Sequence, residues 1–239
     1  MGCERAWLFA HSDEELKEVW WIHYGRYLHQ RLQGKPTQHI TGVQEFYGRE
    51  FRVTPDVLIP RPETEHLIET ALGLHAKRIV DIGTGSGAIA ITLALETGAS
   101  VVATDVSIAA LRVASFNGRT LGAAVPWAAC DLASALRGSA FDLVVSNPPY
   151  IAARDKDTLE REVRGHEPEI ALYGGDDGLD TYRRLIPEAQ RLLTPGGWVV
   201  LEIGSTQGDA VSDMLVAWKQ VEIRNDLASL PRVIVAQRP

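Results

Sequence analysis

The sequence predicts a doubly wound α/β fold with a mostly parallel, seven-stranded sheet, preceded by a short helical segment and a β-hairpin. Three observations predict it. From Arg78 onward, short apolar runs alternate with stretches of helical periodicity. The first run ends in a glycine-rich turn, Asp81-Ile82-Gly83-Thr84-Gly85-Ser86-Gly87, followed by Ala88-Ile89-Ala90. A later run, Phe141-Asp142-Leu143-Val144-Val145-Ser146, passes straight into Asn147-Pro148-Pro149-Tyr150.

Taken in order, residues 1–40 read as helical. Ser12 and Glu15 have capping-box spacing and mark a helix start. Leu16, Val19, Trp20, His23, Tyr27 and Leu32 then give one apolar face, as core or as a docking surface. Gly34 and Pro36 end that helix. In residues 41–62, Phe46-Tyr47, Gly48-Arg49, Phe51 and Val53 read as a short hairpin. Pro60 and Pro62 stiffen the segment before a helix over 63–74, as in a rigid linker. Strands are expected over 78–82, 100–104, 125–129, 141–146, 197–203, 219–224 and 232–236. Helices fit over 87–97, 107–120, 178–193 and 207–217. Ligands bind such sheets at the carboxyl ends of the strands, near the switch in strand order.

Composition narrows the function. A chain of 239 residues with a 45% hydrophobic fraction holds one large domain and a small appendage. A formal net charge of -7 argues against a general phosphate-binding surface. The cysteines, Cys3 and Cys130, form no CxxC pair, and the histidines show no metal-ligand spacing, so no metal is expected. No run approaches membrane-spanning length and no signal peptide is visible, so cytoplasmic residence is expected.

The glycine turn is spaced GxGxG, unlike the GxGxxG of a pyrophosphate site. Asp81, two positions before the first glycine, suits a cationic amino group and would be awkward beside a pyrophosphate. S-adenosylmethionine carries an ammonium and no phosphate, so it fits better than a dinucleotide. Asp105, ending the second strand, is placed to accept both ribose hydroxyls, or to cap the following helix. Asp131, near the end of the third strand, can accept the adenine amine while Leu132 packs on the ring; Asp131 can also cap a short helix.

The tetrad is the most specific feature. An amide or aniline-like nitrogen is a poor nucleophile, and no side chain is basic enough to deprotonate it. Two acceptors can hold it instead, one on each N–H. Asn147 supplies a side-chain oxygen. Pro148 supplies a carbonyl whose direction consecutive prolines lock. These bonds strengthen as positive charge builds on the nitrogen, so they favour the transition state. Tyr150 can stack on the flat acceptor and align it for in-line displacement.

Asn147-Pro148-Pro149-Tyr150 resembles the tetrad of amino and amide methyltransferases, including adenine-N6 DNA methyltransferases. His-Ile-Thr-Gly-Val-Gln-Glu-Phe-Tyr-Gly and Leu-Ile-Pro-Arg-Pro-Glu-Thr-Glu, within residues 39–66, resemble the release factor glutamine methyltransferase family. So do Asp81 through Ala90, Glu167-Pro168 and Leu230-Pro231-Arg232-Val233, and the resemblance spans about residues 5–238. It implies a Rossmann-like class I methyltransferase. The implied reaction moves a methyl group from S-adenosylmethionine to N5 of the Gly-Gly-Gln glutamine in class I peptide chain release factors. S-adenosylhomocysteine is the product, and the implied enzyme is a monomer with no nucleic-acid or membrane partner.

By that match Gly83, Thr84, Gly85, Ser86 and Gly87 line the cofactor loop, and Asp105 holds the ribose. Leu132 stands where the family has an adenine-packing residue. Asn147 touches both cofactor and glutamine, and the tetrad cradles the amide. The Arg61–Thr64 loop closes over the cofactor, and Glu167 and Pro168 shape the substrate entrance. Residues 1–40 resemble the second half of a longer N-terminal docking domain, 41–62 a hairpin linker, and 63–239 the methyltransferase domain. Competing readings are a ribosomal-protein glutamine as acceptor, an amino group of adenine or guanine in nucleic acid, or a non-catalytic binding module.

Overall fold

A computed structural model describes residues 5–239; Cys3 lies outside them. Three helices open the chain: α1 (Arg5–Ala10), α2 (Glu18–Leu32) and α3 (Thr37–Thr41). The expected capping box does not form. The N-cap of α2 is Lys17, which makes no side-chain cap. His11 and Glu14 instead continue a turn off α1, with the amide N–H of His11 donating to the Trp7 carbonyl and that of Glu14 to the His11 carbonyl. The His11 ring also stacks on Trp7 at 4.1 Å. Ser12 is therefore held in a turn and cannot cap a helix that starts six residues later.

The apolar face of α2 is not core either. No residue of α2 is buried. Val19, Trp21, Ile22, Tyr24, Tyr27 and Leu28 are each about half exposed, which makes a broad apolar surface.

The hairpin pairs β1 (Val43–Phe46) with β2 (Arg49–Arg52). Its two-residue turn has Tyr47 at φ 50 and Gly48 at φ 70, both left-handed, as the twist of a tight hairpin requires. Phe46 and Phe51 lie edge to face at 6.0 Å, fully buried against the main domain. The hairpin is thus packed into the core.

The main domain follows as α4 (Glu65–Leu72), β3 (Arg78–Ile82), α5 (Ala88–Thr97), β4 (Ser100–Asp105), α6 (Ile108–Leu121), β5 (Trp127–Ala129) and β6 (Phe141–Ser146). Next come α7 (Arg161–His166), α8 (Asp180–Leu192), β7 (Leu193–Glu202), α9 (Gly208–Met214), β8 (Lys219–Asn225) and β9 (Pro231–Gln237). The seven-stranded sheet has the order β5-β4-β3-β6-β7-β9-β8. It is parallel except for β9, which runs antiparallel to β7 and β8.

Side chains alternate across this sheet, as strand geometry demands. Ile79, Val145, Val200 and Val235 face one core with Leu67, Ile68, Ile91 and Leu93. Val80, Val144, Val199 and Ile234 face the other with Tyr182, Leu185, Leu192 and Trp218. Both faces are covered, so the central strands read as continuous apolar runs. No described helix is long and apolar enough to cross a membrane.

Candidate functional site

Strand order reverses between β3 and β6. From β3 the chain moves out to β4 and β5, then returns to the other side of β3 as β6. The carboxyl ends of these two strands frame a crevice, and it holds a cavity of about 520 Å³. Ile82 and Ser146 end the two strands, and the Ser146 hydroxyl donates to the Ile82 carbonyl at 2.6 Å. The glycine turn and the tetrad therefore leave the sheet side by side.

The turn is held by backbone bonds. The N–H groups of Gly83 and Thr84 both donate to the Thr104 carbonyl at 2.9 Å. Gly85 adopts φ 55, and a Cβ built there would meet nothing within 4 Å, because it faces the cavity. Gly87 adopts φ 84 and caps α5; a Cβ there would meet Ile91 Cδ1 at 2.9 Å and Ala114 Cβ at 3.1 Å. One glycine opens the site to a ligand, and the other lets α5 pack tightly against its neighbours.

Asp81 lies fully buried beneath the turn. Its Oδ2 accepts the Thr84 hydroxyl at 2.6 Å, while Oδ1 has no hydrogen-bond partner. Burial pushes its carboxyl up to about 7, against the lowering effect of the Thr84 bond, and the nearby Asp105 charge raises it further. The Ala90 backbone N–H, in the first turn of α5, also lowers it, and a further cation near the carboxylate would stabilise its ionised form.

Asp105 ends β4 at the cavity wall. Its Oδ2 accepts the Gly85 N–H at 2.9 Å and its Oδ1 the Ser107 N–H at 2.8 Å. The cap of α6 is Ser107, whose hydroxyl oxygen accepts the Ala110 N–H at 3.2 Å. Asp131 and Leu132 also line the cavity. Leu132 sits at φ 49, with its carbonyl accepting the Thr104 hydroxyl at 2.6 Å. Asp131 caps no helix; its carboxylate pairs with Arg184 at the rim.

The tetrad divides two cavities. Asn147 and Pro148 line both the larger one and an adjoining one of about 180 Å³. Pro149 faces the larger, and Tyr150 the smaller, together with Ile151, Leu159, Val163 and Leu172. The phenol of Tyr150 donates to Glu202 Oε1 at 3.3 Å. Burial and the Glu202 charge push that phenol above its ordinary range. Glu167 is buried and lines neither cavity; its Oε2 accepts the Ile59 N–H at 3.1 Å and its Oε1 the Arg61 guanidinium at 2.5 Å. It anchors the Arg61–Thr64 loop, whose Arg61 and Thr64 line the larger cavity.

The larger cavity fits S-adenosylmethionine. It has the volume of a cofactor site, the Asp105 carboxylate at its wall, and open space at Gly83 and Gly85.

Comparison with known proteins agrees with this geometry. Residues 62–164 match the methyltransferase small domain, and residues 1–42 the PrmC N-terminal domain. A release factor glutamine methyltransferase of Koribacter versatilis is 43% identical over 245 residues, covering 100% of this chain and 88% of that protein. The one of Bacillus subtilis is 43% identical over 249 residues, covering 98% and 86%. This chain belongs to the release factor glutamine methyltransferase family.

Solved structures carry the same fold at lower identity. A methyltransferase from Pyrococcus furiosus has a TM-score of 0.64 at 18% identity, covering 87% of this chain and 98% of that one. A T. thermophilus 16S rRNA N2 methyltransferase, solved with AdoMet and guanosine, has a TM-score of 0.58 at 20% identity, covering 82% and 50%. As a member of the release factor glutamine methyltransferase family, the chain is an enzyme with a Rossmann-like class I methyltransferase fold.

Sequence reasoning missed two residues of this methyltransferase's site. Glu202 ends β7 beside the tetrad, fully buried. Its signal was a lone acidic residue closing the apolar run Trp198-Val199-Val200-Leu201. Asn117, on α6, was silent in the sequence. Its side chain accepts the Arg52 N–H at 2.9 Å and donates to the carbonyls of Arg52 at 3.0 Å and Ser86 at 2.8 Å. It thereby ties the hairpin to the glycine turn.

Proposed function

We propose that this enzyme transfers a methyl group from S-adenosylmethionine to the N5 amide nitrogen of the Gly-Gly-Gln glutamine in class I peptide chain release factors. The methyl donor leaves as S-adenosylhomocysteine. The observation that supports this most is the position of Asn147 and Pro148 in the wall between two cavities. One cavity has cofactor size, and the other suits a single extended side chain.

Bound S-adenosylmethionine supplies an electrophilic methyl group on a sulfonium. The chain's own residues do the rest. The Asp81 carboxylate, buried beneath the turn, attracts the ammonium of the methionyl part from below, and Asp105 takes the ribose hydroxyls. Asp131 and Leu132 meet the adenine edge and face. Gly83 and Gly85 let the backbone approach without Cβ atoms.

In the smaller cavity Leu159, Val163 and Leu172 hold the methylene stem of the glutamine and exclude water. Asn147 Oδ1 and the Pro148 carbonyl each accept one N–H of its amide. Their pull grows as the nitrogen becomes cationic, so the gain falls on the transition state. The Tyr150 ring walls the amide plane. Glu167, through Ile59 and Arg61, holds the entrance in shape. The exposed apolar residues of α2 suit a docking surface for the protein substrate, larger than a lone side chain would need.

Mass spectrometry of a release factor incubated with the enzyme and methyl-labelled cofactor tests the proposal. One added methyl on the Gly-Gly-Gln glutamine is expected. Label in a ribosomal-protein glutamine or in nucleic acid, with an unmodified release factor, would overturn it.

A further inference from the structure

We propose that Glu202 is a positioning residue for methyl transfer, which, through the Thr64 hydroxyl, fixes which end of the Asn147 carboxamide faces the acceptor nitrogen. The inference rests on the reading that Asn147 receives the acceptor NH2. Sheet register brings the two together. Leu201 pairs with Ser146, so Glu202 closes β7 at the level of Asn147.

The chain of bonds has a direction. Glu202 Oε2 accepts the Thr64 hydroxyl at 2.6 Å. Thr64 Oγ1 in turn accepts Asn147 Nδ2 at 3.2 Å. A hydroxyl has a single proton. With that proton given to the carboxylate, Thr64 offers Asn147 only lone pairs. Asn147 must then turn its NH2 toward Thr64, which leaves Oδ1 for the cavities that Asn147 lines. The opposite orientation would set an N–H donor against the N–H of the glutamine. The second oxygen, Oε1, takes the Tyr150 phenol at 3.3 Å, so one carboxylate orients two members of the tetrad.

Protonation of Glu202 would reverse the direction. A protonated carboxyl can donate to Thr64, which frees the Thr64 proton for Asn147 Oδ1 and lets the carboxamide turn over. Burial pushes the Glu202 carboxyl up to about 7. The Thr64 hydroxyl, Arg232 on β9 and the Tyr150 phenol pull it down, and Glu63 pushes it up. Tyr182 on α8 donates to the backbone carbonyl of Glu202 at 2.8 Å. Orientation is therefore lost as pH falls through about 7.

The test compares wild type with Thr64→Val, Thr64→Ser and Glu202→Met at saturating cofactor, with folding checked by cofactor calorimetry. Thr64→Val and Glu202→Met are expected to lower kcat on the order of 10²-fold while leaving cofactor KM within about threefold. Thr64→Ser, which keeps the hydroxyl, recovers most of that loss. Wild-type kcat falls on the acid side of about 7, and Glu202→Met loses that limb. A Glu202→Met enzyme with wild-type kcat, or serine and valine equally impaired, would overturn the inference. If Glu202→Met does not fold, the valine–serine pair decides.

Failure of the functional reading shows separately, as a wild-type enzyme that leaves release factors unmodified. The nitrogen-15 resonances of the Asn147 side-chain amide then decide the inference. A shift with a midpoint near 7 in wild type, absent in Thr64→Val, supports it; the same shift in both overturns it.

Discussion

Asp105 accepts the Gly85 backbone N–H on Oδ2 at 2.9 Å, so the end of β4 and the glycine turn form one unit. The other oxygen holds Ser107 at 2.8 Å and thereby the start of α6. Two strands and a helix thus converge on one carboxylate at the cavity wall. A ligand bound there meets groups whose positions are set before it arrives.

Asp105→Ala removes two charge-assisted backbone bonds along with the proposed ribose contact. Each such bond is worth about 1.5–3 kcal/mol. Cofactor affinity is expected to fall on the order of 10²-fold by calorimetry, beyond any loss of fold stability. Unchanged affinity would remove Asp105 from the site.

The two glycines should respond differently to alanine. At Gly87 the added Cβ meets Ile91 and Ala114 and the backbone sits at φ 84. Thermal unfolding of Gly87→Ala is expected to show a loss of about 1–3 kcal/mol. Gly85→Ala, with open space around it, loses about 1 kcal/mol from its left-handed backbone alone. It instead weakens cofactor binding, because the methyl group enters the cavity. Equal stability losses in the two variants would contradict the packing described here.

Asp81 gives a pH dependence of known sign. Its carboxyl lies at about 7 in the folded chain, against 3.8 when solvated. Between those values the folded chain holds the extra proton, so the stability of the ligand-free protein falls as pH rises through that window. Cofactor affinity runs the other way. Only the ionised carboxylate attracts an ammonium, so affinity climbs between pH about 5.5 and 7.5, at up to about tenfold per unit, then levels. Titration calorimetry across that range should show the slope in wild type and its absence in Asp81→Asn. A flat wild-type profile would rule out an ammonium on Asp81.

Glu167→Ala leaves the Ile59 N–H without its partner and Arg61 without its counter-charge. A stability loss of about 1–3 kcal/mol is expected. KM for the release factor should rise as the Arg61–Thr64 loop loosens. Unchanged KM would show that the loop is held by other contacts.

Local chemistry was legible in the sequence, and distant pairing was not. The strands Arg78–Ile82 and Phe141–Ser146 were bounded correctly, because buried parallel strands are uninterrupted apolar runs between turn residues. The placement of the glycine turn and the tetrad at strand ends was legible because each motif is contiguous and directly follows an apolar run. The Ser12–Glu15 box failed because His11 and Glu14 continue a turn from α1. Glu202 was missed because its partner, Thr64, lies 138 residues away. Asn117 reaches Arg52 across 65 residues. The single apolar face expected of α2 is not what the structure shows: Val19, Trp21, Ile22, Tyr24, Tyr27 and Leu28 are exposed all round the helix, and periodicity alone cannot say what a helix packs against.

The grip on the acceptor amide is tested most directly by the turnover of Asn147→Ala. The readout is methylation of the Gly-Gly-Gln peptide by mass spectrometry at saturating cofactor. Removing one of two acceptors from the reacting nitrogen predicts a fall on the order of 10³-fold, with cofactor affinity held within about tenfold. Methylation by Asn147→Ala at the wild-type rate would contradict the mechanism.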